Sequence, residues 1–555
     1  MTKKTILTSA LVALAVSVSL HAQTLAFPEA QGFGAYARGG RGGNVFYVTT
    51  NEDNASGAPI PNSLRDVVNR SGPRTVLFAV GGEIRLQRDL IIDQPYLTLV
   101  GQGAPAPVII TGATTVIRTR DVIIRHLRFR LGNLSGAAGS CNQSNWNNTD
   151  CDRDVLYLDG ERGTVQDIIL DHCSFSWSID EIIGADRVKR VTVQASILAE
   201  PLHWSLKHTE NCAMDGECLG SIDEPGDWGI GHGYCQRWGG SKEVAILDSL
   251  LASCFKRGIQ TNNPTHDKDH RIELYVGGNL FYDYYVSGIT HNDKGEKADA
   301  EWMIEDNLFY KGGSCRYGRQ VADPSTDFKL RESKLIPIEI ERAGDAENLV
   351  FQRRNQIYRV SYDRDHYSRR SDCEREHGAG FCNNYFFGSI AKCCPGYTGL
   401  FDGCIPKLVS NPAPPEPLFG PTLENVTLAD EPPEFVRDMI RVPRAPSVSG
   451  LSGFLLTVGA FKPERDGADL ALFDKIRTGR TGLHNQAGFT GSVIPLGHRL
   501  GCVPDQMPRD SDCDGMPDDF EIEQGFDPRD ARDGAQDRDG DGYTNVEEWL
   551  NGTRP

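Results

Sequence analysis

Two groups of acidic residues in this chain have the types and spacing to hold a hard cation. Near the C-terminus, Asp510, Asp512, Asp514, Gly515 and Glu521 fit the pattern D-x-D-x-D-G-x5-E, and Asp537, Asp539, Asp541, Gly542 and Glu548 repeat it. In a loop of this kind the first, third and fifth side chains, the seventh backbone carbonyl and the last glutamate surround Ca²⁺, while glycine supplies the sharp turn. The seventh positions are Met516 and Tyr543, and the ninth are Asp518 and Asn545. Two matches in one tail make a merely acidic turn the weaker account. Structure, with docking as an addition, is the role such loops suggest.

The second group lies along DVLYLDGERGTVQDIILDHCSFSWSIDE, from Asp154 to Glu181. Asp154 stands at one end, Asp180 and Glu181 at the other, and Ile168, Ile169 and Leu170 form a strand-like run between them. If each turn of chain is one coil of a parallel β-solenoid, Asp154 and Asp180, 26 residues apart, stack at the strand spacing of about 4.8 Å. Carboxylates that close repel unless a cation sits between them, and an oxygen-lined edge suits Ca²⁺. The plain alternative is an acidic patch at a coil corner.

Repetition supports the solenoid that this placement needs. Asn279-Leu-Phe-Tyr and Asn307-Leu-Phe-Tyr are identical and 28 residues apart. Related steps at Ser174-Phe175, Ser196-Ile197-Leu198 and Ser249-Leu250-Leu251 are separated by 22 and 53 residues, with 30 more to Asn279. Such periods mean stacked single-coil units, none able to bury its apolar face alone, and the 53 marks a coil carrying an inserted loop. Strands are expected at Val45 to Thr49, Thr75 to Val80, Leu97 to Val100, Val108 to Thr111 and Val122 to Phe129. Leu64 to Val68 is expected to form a short helix capping the open end.

Composition bounds the function. Lys3, Lys4, an apolar run from Ile6 to Leu20 and a small-residue site at Ala22 read as a secretory signal peptide over residues 1–22. The expected destination is therefore the periplasm or the medium, with no membrane span. The 15 cysteines then read as disulfide candidates, and an odd count leaves at least one thiol unpaired. They concentrate in expected insertions at about 133–153, 203–236 and 361–410, with Cys141 and Cys151, and Cys212 and Cys218, close enough to staple their own loops. Asp and Glu number 76 against 58 Lys and Arg, and residues 501–555 alone hold 16 acids against 5 arginines. So acidic a chain is a poor nucleic-acid binder. An anionic partner would need bound cations to attract it. The expected organisation is one large β-domain over 23–500, acting as a monomer, and a calcium-loop tail over 501–555.

Several blocks together, AFPEAQGFGAYARGGRGG, SLRDVV, DVIIRHLRFR, DVLYLDG, DHCSFSWSIDE, EPLHWS, GHGY and VGAFKPERDGADLALFDKIRTG, resemble bacterial pectate lyases of polysaccharide lyase family 1 over about residues 26–485. The resemblance implies an all-β, right-handed parallel β-helix that cleaves pectate or a related anionic polyuronate by calcium-assisted β-elimination. It also implies that Asp154 and Asp180 bind Ca²⁺ with Glu181 beside them, Ser176 standing where many members carry an acid. Arg257 matches the arginine that removes the C5 proton, with Ile259 in place of a following proline, and Lys207 matches a substrate-binding lysine. His232 is a candidate substrate contact on its residue type, with a satisfied loop histidine as the plain alternative. An arginine base is chemically awkward, because its pKa above about 12 keeps it charged in most settings. In that case Arg257 stabilises charge while water or hydroxide takes the proton.

Two other classes compete. Asn148-Thr149-Asp150 and Gly231-His232-Gly233 resemble fragments of polygalacturonase motifs, but paired aspartates between them are missing and Arg271-Ile272-Glu273 is the nearest approach to the later RIK. A polysaccharide-binding surface protein with decayed catalytic groups is the third reading, and it predicts binding without turnover.

Overall fold

The computed structural model describes residues 23–132, 153–204, 233–254, 257–262, 271–283, 288–292, 300–311, 431–447, 449–477 and 509–555, with short strands between 338 and 485. The leader, Lys207, His232 and the cysteines at 141, 151, 212, 218, 373, 382, 393, 394 and 404 lie outside the described residues.

The described strands from Asn44 to Leu428 fall almost entirely into three sheets. The first has 11 strands, the second eight and the third 10. Each coil sends one strand to each sheet and pairs in parallel with the coil on either side, as Ile168 does with Val122 and Val191. This is a parallel β-helix. One pair departs from the rule: Gln356–Ser361 runs antiparallel to Lys407–Ser410.

Corners between sheets are made by single residues in the left-handed region. His126, His172, Ala195, Asp248 and Asp306 each end a strand of the first sheet with φ of 54°, 49°, 46°, 48° and 57°. One residue in that conformation redirects the chain without a long loop. The expected strand over Val122 to Phe129 is therefore two strands, Val122–Arg125 and Arg128–Arg130, bent at His126. Likewise His172 is a corner, and the alternation beyond it opens a new strand at Ser174–Ser176.

Inside the coils, like residues stack on like. Phe129 lies 5.2 Å from Phe175 and Phe281 lies 4.6 Å from Phe309, both pairs parallel. A polar ladder runs beside them. Cys173 N–H donates to Ser196 Oγ (3.1 Å), Ser196 N–H to Ser249 Oγ (3.0 Å), Ser249 N–H to Asn279 Oδ1 (2.9 Å) and Asn279 N–H to Asn307 Oδ1 (3.0 Å). The repeat seen in the sequence is this ladder, with one correction. Ser174 pairs with Ile197, so the rung below Ser196 is Cys173 and the first step is 23 residues rather than 22. A buried thiol fills that rung, and Cys173 is a free cysteine.

Other segments cover the outer faces. The helix Leu64–Val67 buries Leu64 and Val67 in the main core and is capped by Ser63. Gly34 donates to Thr192 Oγ1 at 2.9 Å across the first sheet, where any Cβ would overlap the Ile168 carbonyl. The helices Leu451–Thr457 and Gly467–Arg477 cover the third sheet with Leu455, Leu472, Phe473 and Ile476. The tail packs on the first sheet, where Met516, Val546 and Leu550 bury against Leu77 and Val100. Among the described residues no helix is long and apolar enough to cross a membrane.

Candidate active site and tail loops

The second sheet carries the acidic group at Asp154, Asp180 and Glu181. Its strands Leu156–Asp159, Glu181–Asp186, Tyr234–Gly239 and Ile259–Asn262 are consecutive neighbours. Leu156 pairs with Ile183, an offset of 27 residues, so the residue stacked on Asp154 is Glu181 and not Asp180. Asp180 instead donates its N–H to Arg153 O at 3.1 Å. Glu181 pairs in turn with Tyr234, and the pairing of Arg237 with Gln260 puts Arg257 in register with Tyr234. Asp154, Glu181, Tyr234 and Arg257 thus form one column over four coils.

Contacts follow from the column. Carboxylate oxygens of Asp154, Asp180 and Glu181 lie within 4.8 Å of one another. Asp154 Oδ1 accepts the Glu181 N–H at 3.0 Å. Arg257 Nη1 donates to Glu181 Oε1 at 2.6 Å, and its guanidinium lies over the Tyr234 ring at 4.0 Å. Burial, then the charges of Glu181 and Asp180, push the Asp154 carboxyl well above its usual range. Burial and then Asp180 raise Glu181 to about 7, against the opposing pull of Arg257 and Arg237. Repulsion of this kind is what a divalent cation relieves, and three hard oxygen donors suit calcium. Space is provided as well. A Cβ on Gly184 would overlap Asp154 Oδ2, so glycine leaves room for the cluster.

Backbone pins Arg257 in place. Its carbonyl accepts the N–H groups of Cys235 and Gln236, and a Cys235–Cys254 disulfide ties the preceding turn to the same strand. Arg257 itself has φ of 57°, an unusual conformation for a non-glycine residue. Ser176 takes no part, since it lies in the third sheet and accepts from Arg130 Nη1 at 2.7 Å.

Sequence reasoning passed over Arg237. It points outward between buried Gln236 and Trp238, pairs with Asp186 through both nitrogens (2.9 and 2.6 Å), and Asp186 also accepts from Tyr157 Oη at 2.7 Å. Strand alternation in YCQRWG was the available signal.

The tail loops repeat each other bond for bond. Asp510 accepts from the N–H groups of Cys513 and Gly515, and Asp537 from those of Gly540 and Gly542. Asp512 and Asp514 accept from Asp514 and Met516, as Asp539 and Asp541 do from Asp541 and Tyr543. The helices Asp518–Gln524 and Asn545–Asn551 follow the loops. Asp510, Asp512 and Asp514 cluster, as do Asp537, Asp539 and Asp541. Glu521 and Glu548 are buried at the helix positions closing each loop. Burial followed by neighbouring loop aspartates raises Glu521 to about 8 and Glu548 to about 7. The ninth positions face elsewhere: the Asp518 carboxylate accepts from Ser511, and Asn545 Nδ2 donates to the Asp533 carbonyl.

Fold and site together define a parallel β-helix protein with a carboxylate cluster and an arginine on one sheet. The chain belongs to the pectate lyase family. It is 34% identical over 359 residues to a probable pectate lyase C of Neosartorya fischeri, covering 60% of this chain and 76% of that protein. A probable pectate lyase C of Emericella nidulans is 36% identical over 181 residues, 32% of this chain and 37% of that one. The chain thus spans well under half of the latter relative's length. Among solved structures it is similar to a Bacillus sp. N165 pectate lyase in complex with trigalacturonate, at 12% identity and a TM-score of 0.37, covering 59% of this chain and 86% of that one. The fold assignment rests on the strand pairings above. No protein-family model matches the chain.

Proposed function

We propose that the chain is a secreted, calcium-dependent lyase that cleaves pectate or a closely related polyuronate by β-elimination. The observation that carries this reading is the column in which the Arg257 guanidinium meets a cluster of three carboxylates. In this reading Asp154, Asp180 and Glu181 hold Ca²⁺. When bound, the ion neutralises a uronate carboxylate and makes the neighbouring C5 hydrogen more acidic.

The chain's own residues do the rest. Tyr234 supports the flat face of Arg257, and Glu181 fixes one end of its fork. Arg257 is thereby held beside the carboxylates, where it either takes the C5 proton or stabilises the charge left when water takes it. The C5–H electron pair forms the C4–C5 double bond, and the C4–O bond breaks with its electron pair going to the glycosidic oxygen, which takes a proton from water. Arg237, tied to Asp186, adds a second positive group along the sheet, which favours a polyanionic chain. Lys207 and His232 are proposed as further substrate contacts. Met516 and Tyr543 are proposed to give backbone carbonyls to tail calcium ions, with Asp518 and Asn545 beside them.

The test is polygalacturonate incubated with the purified chain, with Ca²⁺ and with chelator. Absorbance rising near 235 nm, about where an unsaturated uronate absorbs, only with Ca²⁺ supports elimination. New reducing ends without that chromophore mean hydrolysis, and binding without either means a site that has lost its chemistry.

A further inference from the structure

The tail holds a carboxylate that neither loop motif contains. Asp533 lies in the segment between the loops, yet a carboxylate oxygen of it comes within 4.8 Å of oxygens of Asp514 and Glu521. Asp514 is shared with the Asp510 and Asp512 group, so five carboxylates converge. Glu521 is 0% exposed and neither of its oxygens has a hydrogen-bond partner, and the atoms Asp512 Oδ2, Asp514 Oδ2 and Asp533 Oδ1 are likewise buried without one. Buried acceptors left without donors are rare in folded proteins and point to an absent partner. The other oxygens of Asp512 and Asp514 accept from the backbone N–H groups of Asp514 and Met516, so each carboxylate has one oxygen committed to the loop and one left over.

Asp533 is brought there by the second loop. Asn545 Nδ2 donates to its carbonyl at 2.7 Å, and Val546 N–H donates to Gly534 O at 3.0 Å. A Cβ on Gly534 would come 2.7 Å from Asp514 Cγ, so the segment approaches only as glycine. On the other side the Tyr47 hydroxyl, on the first strand of the β-helix, donates to Asp510 Oδ2. Arg41 pairs with Glu547 at 3.0 Å nearby.

We propose that Asp510, Asp512, Asp514, Glu521 and Asp533 together hold one divalent cation of the calcium class, and that this ion latches the tail to the first coils. An all-oxygen, carboxylate-rich set selects a hard cation over zinc or copper. Asp533 supplies the side chain that the ninth position does not, and the inter-loop segment folds with the ion. Asn545 acts as a positioning residue for Asp533.

The test compares Asp533→Asn with Asp518→Asn in the full chain, both in an Asp180→Ala background to remove the ion proposed for the second sheet. Calcium affinity is read by competition with a chromophoric chelator. Asp533→Asn is expected to weaken one tail ion at least about tenfold and Asp518→Asn less than about threefold, by the usual scale of ligand loss. The reverse order, or no change with Asp533→Asn, overturns the ligand assignment. The latch has its own readout on the unaltered chain. Limited proteolysis should release the tail in chelator and spare it in Ca²⁺, whereas equal resistance in both overturns the latch. Tb³⁺ in the unaltered chain, excited through tyrosine, should emit strongly and dim on Tyr47→Phe. Unchanged emission would remove Tyr47 from the ion's surroundings.

Discussion

Gly184→Ala tests the carboxylate cluster with a single added carbon. Gly184 sits mid-strand, paired with Tyr157 on one side and Arg237 on the other, and its backbone has no left-handed φ that alanine would strain. The new methyl would lie 2.9 Å from Asp154 Cγ and 3.0 Å from Tyr157 Cδ2, and closer still to Asp154 Oδ2. Two flanking ladders hold the strand, so the carboxylate must yield, by about 1.5 Å to regain ordinary contact. That breaks the 3.0 Å bond from Glu181 N–H to Asp154 Oδ1, worth about 1 to 3 kcal/mol. It also moves a ligand much farther than the roughly 0.2 Å a metal site tolerates. The calcium concentration for half-maximal turnover should rise about 10- to 100-fold, while thermal stability in chelator falls little because relief of repulsion offsets the lost bond. The assay is initial rate at 235 nm against free Ca²⁺, beside a melting curve. A calcium dependence identical to the parent's would refute the argument that Asp154 contributes to the site.

Arg257→Lys keeps a positive charge but loses the planar guanidinium that bonds Glu181 through Nη1 and lies over Tyr234. Turnover should fall at least about 100-fold with Tm within a few degrees, measured by the same absorbance. Cys254→Ser frees the turn before Arg257, lowering stability by about 3 kcal/mol in a urea melt and kcat more than KM. Because Glu181 is raised to about 7, proton and cation compete for its oxygens below that pH. The calcium requirement should therefore ease as pH rises from about 5 to about 8 and then level off. In chelator the sign is opposite. The protonated carboxyl's contribution to stability is present below its usual range and is lost as pH rises through about 7, which pH-dependent melts with and without Ca²⁺ will register.

Much of this was legible in the residues. The strands Leu97–Val100 and Val108–Thr111 matched the apolar runs because turn signals bound them, and the 53-residue coil was readable from its polar rung. Coil length itself was less so. The turn ahead of Glu181 leaves no local pattern, so the true offset of 27, which stacks Glu181 on Asp154, could not be separated from 26. Corners were missed because nothing beside His126 and His172 in the sequence marks a turn, whereas in the coil their N–H groups donate to Asp171 O and Gln194 O of the next coil and their rings stack. The Cys235–Cys254 bridge was not readable from spacing, because neighbouring coils bring its two ends together; the loop staples expected at Cys141 and Cys151 and at Cys212 and Cys218 lie outside the described residues. Asp533 could not be found from spacing at all, since its approach depends on a tertiary bond from Asn545.

The internal ladder from Cys173 to Asn307 separates what can change from what cannot. A step of 53 residues from Ser196 to Ser249 and one of 28 from Asn279 to Asn307 land on identical rungs. Whole excursions can therefore be acquired, shortened or exchanged between relatives while the scaffold beneath keeps its pitch. Evolution can remodel the rim that meets a polymer and leave untouched the few side chains that would do the cutting.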